Sequence, residues 1–153
     1  MGNKIYKKIL TLVCFFILIT CNAQCKRFNI IVMIDEQPCL TIHDFYINIP
    51  PSMEKNEFKY VVGSVDVSDN FYANLLNTSS QNINIGFGAV IPNKVFASKY
   101  IINFPKSYLY HEYIIINIYN MDNKKYRRKY SNIVKGNKEY YVVIKTPNLL
   151  KFD

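Results

Sequence analysis

Side chains that carry chemistry are scarce in this 153-residue chain. It has two histidines and four cysteines, and it contains no Gly-x-Ser-x-Gly elbow, phosphate-binding glycine loop, His-Glu-x-x-His or Cys-x-x-Cys. Those absences exclude the usual layouts of a serine hydrolase, a nucleotidase, a zinc protease and a dithiol oxidoreductase. His43 precedes Asp44 and His111 precedes Glu112, but neighbouring residues on a strand point to opposite faces, so neither pair reads as an acid/base dyad. Cys39 has no identifiable base to activate it. We expect no catalytic residue, no metal and no cofactor, and hence a protein that is not an enzyme. Repeats, long linkers and low-complexity blocks are also missing. The length suits one domain with a substantial core and is too short for two.

One apolar run stands at the N-terminus. Lys4, Lys7 and Lys8 precede about eleven mostly apolar residues from Ile9 to Ile19, too short to remain as a bilayer span and ordered like a secretory signal. Leu18-Ile19-Thr20-Cys21 resembles the lipobox of bacterial lipoproteins, with Cys21 as the acylated first residue of the mature chain. Thr20 stands where Gly, Ala or Ser is commoner. The alternative is a soluble product cut after Ala23. Asn22 after the candidate cysteine favours the outer membrane, so the expected location is the periplasm of a Gram-negative cell, anchored to the outer membrane's inner leaflet. The expected organisation is a signal peptide over 1–20, a tether over 21–27 and one domain over 28–153.

An oxidising compartment makes Cys25 and Cys39 a candidate disulfide, since Cys14 leaves with the signal. Strand-like segments Phe28 to Ile34 and Cys39 to Phe45 flank Asp35-Glu36-Gln37-Pro38, and a tight hairpin there puts Cys39 opposite Ile34. Cys25 then lies on the order of 30 Å along the strand. The hairpin therefore favours a buried, unpaired Cys39.

Beyond the signal no segment sustains a helical period, and the chain reads as short strands broken by turns. Asn82 to Ala89 puts Ile83, Ile85, Phe87 and Ala89 on one face; Lys59 to Val67 aligns Val61, Val65 and Val67; Tyr113 to Tyr119 aligns Ile114, Ile116 and Ile118. Asp122-Asn123 and Gly136-Asn137 are turn pairs, predicting a closing meander of strands near Tyr110 to Tyr119, Lys124 to Asn132 and Lys138 to Lys145. Pro50-Pro51-Ser52 and Ile91-Pro92-Asn93 mark loops. About seven or eight such strands are best buried as two facing sheets, an all-β, Ig-like antiparallel sandwich, with a small barrel as the alternative.

Of the formal charge of +8, three lysines belong to the signal, which has no acid, leaving +5 for the mature chain. The excess sits after Met121, most densely in Lys124-Lys125-Tyr126-Arg127-Arg128-Lys129-Tyr130. As a strand this segment would carry cations on both faces, which fits an exposed edge hairpin. Its charges either blunt that edge against aggregation or meet an acidic partner, with Tyr126 and Tyr130 as contact residues. Anionic lipid is a further alternative, whereas an exported domain does not normally meet nucleic acid.

The signal, "IDEQPCLTI" at Ile34 to Ile42, "YVVGSVDVSD", and the closing "YIIINIYNMDNKKYRRKYSNIVKGNKEYYVVIKT" together resemble small enterobacterial periplasmic lipoproteins described as type VI secretion immunity proteins. The resemblance spans most of the mature chain through motifs that report fold more than activity. It implies a non-enzymatic protein partnered by a secreted effector toxin, which it binds and blocks, and membrane retention through lipid on Cys21. A disulfide-stabilised member would have a later cysteine, and none follows Cys39 here. Two other classes are in view: an envelope accessory or structural lipoprotein that binds another membrane component, and an enzyme whose site is assembled from scattered residues.

Overall fold

The computed structural model describes residues 26–52, 54–91, 97–136 and 138–147. Alternation between apolar and polar residues builds most of it. In β1 (Lys26–Ile34) every second residue, Phe28, Ile30, Val32 and Ile34, turns inward. The same period buries Ile83, Ile85, Phe87 and Ala89 of β7 (Asn82–Ala89), as expected from the sequence. The chain continues through β2 (Gln37–Pro38), β3 (Ile42–Asn48), β4 (Asn56–Glu57), β5 (Tyr60–Val61), β6 (Ser64–Val67), helix α1 (Asp69–Asn77), β8 (Ser98–Pro105), a 3-10 helix over Lys106–Tyr110, β9 (Ile114–Asn120), helix α2 (Lys124–Tyr130) and β10 (Tyr140–Lys145).

Two sheets result. One has the order β10-β9-β1-β6-β5, with β2 hairpinned onto β1; the other has the order β4-β3-β7-β8. Their apolar faces meet in a single core that includes Ile30, Phe45, Ile85, Phe87, Tyr100, Phe104 and Ile116. The fold is therefore a β-sandwich, with open edges in place of a closed barrel. Within that class the central strand departs from a purely antiparallel plan. β1 runs antiparallel to β6 over Lys26 to Asn29 and then parallel to β9 over Ile30 to Ile34.

Four local expectations are corrected. The β1–β2 turn contains only Asp35 and Glu36, both at positive φ (51° and 68°), a twist that suits a two-residue hairpin. Ile34 therefore faces Gln37, and the Cys39 amide donates to the Val32 carbonyl at 2.9 Å, so Cys39 lies beyond the position opposite Ile34. Cys39 itself is buried and free. Second, Val61 is 54 % exposed, because a reversal at Gly63 (φ +84°) separates β5 from β6; Val65 and Val67 are buried. Third, α1 was not foreseen: Ser68 caps it by accepting from the Phe71 amide at 3.2 Å, and Phe71 and Leu75 seat one face in the core. Fourth, Lys26 and Arg27, assigned to the tether, are already in β1, where Arg27 makes a two-pronged pair with Asp66 at 2.7 and 3.1 Å.

The signal, Cys21, Cys25 and the Pro92-Asn93 loop lie outside the described residues. Among those described, no helix is long and apolar enough to cross a membrane.

Candidate functional site

The basic segment is the largest correction. Lys124 to Tyr130 forms α2 and the expected middle strand of the meander is absent, so β10 pairs directly with β9. The local reason is physical. Asn123 accepts from the Lys125 amide through its side chain at 3.0 Å, and its carbonyl takes the Tyr126 and Arg127 amides. Helical spacing then places Tyr126 and Tyr130, four residues apart, on one side, and leaves Arg127, Arg128 and Lys129 in the last turn, where the helix dipole favours cations. A strand could not have collected both tyrosines against the sheet while leaving the cations in water.

An aromatic stack mounts this helix. Tyr126 is 3 % exposed with its ring 5.1 Å from that of Tyr119, and the Tyr130 ring lies 4.8 Å from those of Tyr119 and Tyr141. The tyrosines proposed as contact residues are thus largely supports: Tyr126 is buried and Tyr130 half-buried. Lys129 stands over the Tyr119 and Tyr130 rings, and Lys125 over Tyr126. Lys124, Arg127, Arg128 and Lys129 remain exposed.

The β1–β2 turn locks the helix in place from the other side. Asp35 Oδ1 accepts from the Asn120 amide at 2.8 Å and Oδ2 from Asn120 Nδ2 at 3.0 Å, while Glu36 accepts from Lys125 Nζ at 2.7 Å. Asn120 in turn accepts from the buried Tyr100 hydroxyl at 3.0 Å. Burial pushes the Tyr100 phenol up to about 12, so this hydroxyl stays protonated and serves as a donor.

The hydrogen bond from Lys125 holds the Glu36 carboxyl below its ordinary value despite some desolvation. A carboxyl whose pKa is depressed in the folded state stabilises the fold above its unfolded pKa and loses that contribution as pH falls through the folded value. Replacing Lys125 by methionine is therefore expected to return Glu36 to the ordinary carboxylate range, read by NMR titration of its side-chain carboxyl. An unmoved titration would discount the pair as the cause.

Beside α2 opens a cavity of about 600 Å³, bounded by Lys99 and Tyr100 of β8, Asn120 and Asp122 after β9, Arg127 of α2, and Lys138 and Glu139 before β10. This is the end of the sandwich where β8 and β10 approach each other. Tyr140 ties the two edges together: its hydroxyl donates to the Ile101 carbonyl at 2.9 Å and accepts the Ile101 amide at 3.0 Å. Of the segment Lys124 to Tyr130, only Arg127 lines this cavity; Lys138, from the same basic C-terminal region, and Lys99, from β8, join it.

The histidines also need one correction. A bulge in β3, with Asp44 at φ 52°, brings His43 Nδ1 within 3.1 Å of Asp44 Oδ2, although neighbours on a regular strand diverge. The pair is exposed, and the His43 ring covers the space a Cβ on Gly88 would occupy. His111 ends the 3-10 helix beside Tyr108. Burial raises the Cys39 thiol above its ordinary value, which disfavours the thiolate. No group of three or more His, Cys, Asp or Glu residues suited to a metal occurs among the described residues.

Fold and site define a β-sandwich with a basic helix packed on tyrosines beside a mixed-charge cleft. The chain matches no protein-family model, no curated protein and no solved structure.

Proposed function

We propose that this protein is a periplasmic lipoprotein that acts as an immunity protein, binding and blocking a secreted antibacterial effector without catalysing a reaction. Lipid on Cys21 would retain it at the outer membrane, where such a toxin arrives; several acyl chains matter because one anchors only marginally. The observation that carries the reading is α2, whose exposed Lys124, Arg127, Arg128 and Lys129 are held on a helix fixed by Tyr126, Tyr130 and the Glu36–Lys125 pair. The backbone beneath these charges needs no ordering on association, and the charges steer an acidic partner from a distance. Blocking by occlusion needs such a surface and no reacting group.

The direct experiment delivers the product of a neighbouring secreted-toxin gene to the periplasm with and without this protein. Growth is expected to be restored when it is present, and unchanged killing would sink immunity to that toxin. Converting Arg127, Arg128 and Lys129 together to glutamine, which preserves helix-forming character, is expected to weaken binding about tenfold or more and to flatten its salt dependence. Unaltered affinity with an intact fold would assign those charges to solubility.

A further inference from the structure

Resting on that reading, we infer that the cleft beside α2 is a receptor for an acidic side chain on an extended loop of the protein partner. Three cations converge there from three parts of the chain: Lys99 on β8, Arg127 on α2 and Lys138 before β10. The ion pairs among the described residues are Arg27–Asp66, His43–Asp44 and Lys125–Glu36, and none of them engages these cations. Asp122 and Glu139 share the rim, and Asp122 already has an interaction of its own.

That balance selects among anions. A recess with low-dielectric walls concentrates the field of its cations, and a guanidinium presents paired donors matched to a carboxylate. Attraction to the net positive rim grows in proportion to a ligand's charge, whereas the cost of desolvating the ligand grows with the square of its charge. A singly charged carboxylate therefore fits this partly balanced recess better than a doubly charged phosphate. A membrane surface is also a poor match, because the cations line a concave recess and a bilayer offers no protrusion to enter it. Tyr100 and Asn120 at the cleft wall are committed to each other, which leaves binding to the rim cations.

The probe is a rhodamine-labelled hexaglutamate peptide, titrated by fluorescence anisotropy against the purified exported protein at low ionic strength, with hexaglutamine as the uncharged control. Hexaglutamate is expected to bind and hexaglutamine to bind much more weakly. Lys99→Gln and Arg127→Gln should each weaken hexaglutamate about five- to tenfold, and Arg127→Lys should restore only part of the loss because it keeps charge without the paired donors. The double variant Lys26→Gln, Lys59→Gln, exposed and away from both the cleft and α2, should change affinity less than about twofold. The inference is overturned if the cleft variants bind like the parent protein, or if the outer pair carries the loss. It is equally overturned if phosphatidylglycerol vesicles or inorganic phosphate, and not the peptide, depend on Lys99 and Arg127. Toxin protection is scored separately. Protection intact in a protein that fails the peptide test overturns the cleft alone, whereas cleft binding without protection overturns the immunity reading alone.

Discussion

Replacing Tyr126 by alanine is expected to lower the unfolding free energy by about 3–5 kcal/mol, as for other large buried aromatic-to-alanine changes. The side chain is buried, sits against the Tyr119 ring, and is the main anchor of α2 to the sheet. Tyr126→Phe keeps the ring and should stay within about 1 kcal/mol of the parent protein. Urea unfolding measures both, and amide exchange should show α2 losing protection before β9. A Tyr126→Ala protein as stable as its parent would mean that the helix is held by its charges and cap. In that case the rigid display on which the proposed function depends would need another explanation.

The Asp35→Ala substitution should cost a similar amount, about 3–5 kcal/mol, for a different reason. It strips both acceptors from the buried Asn120, and an unsatisfied buried donor costs about 1–3 kcal/mol. It also places alanine at φ 51°, a backbone conformation that aspartate tolerates better. Asp35→Asn retains an acceptor and the tolerance of positive φ, so a loss of about 1–2 kcal/mol is expected. Among the described residues no buried side-chain polar atom lacks a partner, so the contrast between the two variants reads this joint cleanly. Equal losses would mean that the carboxylate charge, and not the pairing of Asn120, holds the turn to β9.

Much of the sandwich was legible because its strands declare themselves by period. Ile83, Ile85 and Phe87, and again Ile114, Ile116 and Ile118, recur at every second position and are all buried. Helix α1 was missed, although Ser68 followed by Phe71 and Leu75 carried a signal: a capping residue, then apolar side chains one turn apart. Segment Lys124 to Tyr130 misled for a related reason. Spacing of two puts Lys124, Tyr126, Arg128 and Tyr130 on one side of a strand, yet Tyr126 and Tyr130 also satisfy a helical spacing of four, and the Asn123 cap was the deciding cue. In a segment of seven residues both periods fit, and the contacts on the buried side choose between them.

The sequence by itself determined the strand-rich class, the inward residues of the long strands and the concentration of positive charge near the C-terminus, because each depends on residue type and near-neighbour order. Only the tertiary structure decided where that charge is held. The parallel seating of β1 on β9 brings the Asp35-Glu36 turn to Asn120 and Lys125, and the approach of β8 to β10 brings Lys99 and Lys138 to Arg127. Asp35 and Asn120, Glu36 and Lys125, and Lys99 and Arg127 lie far apart along the chain, and no local pattern encodes their meeting. It follows from how two apolar sheet faces, once formed, exclude water between them.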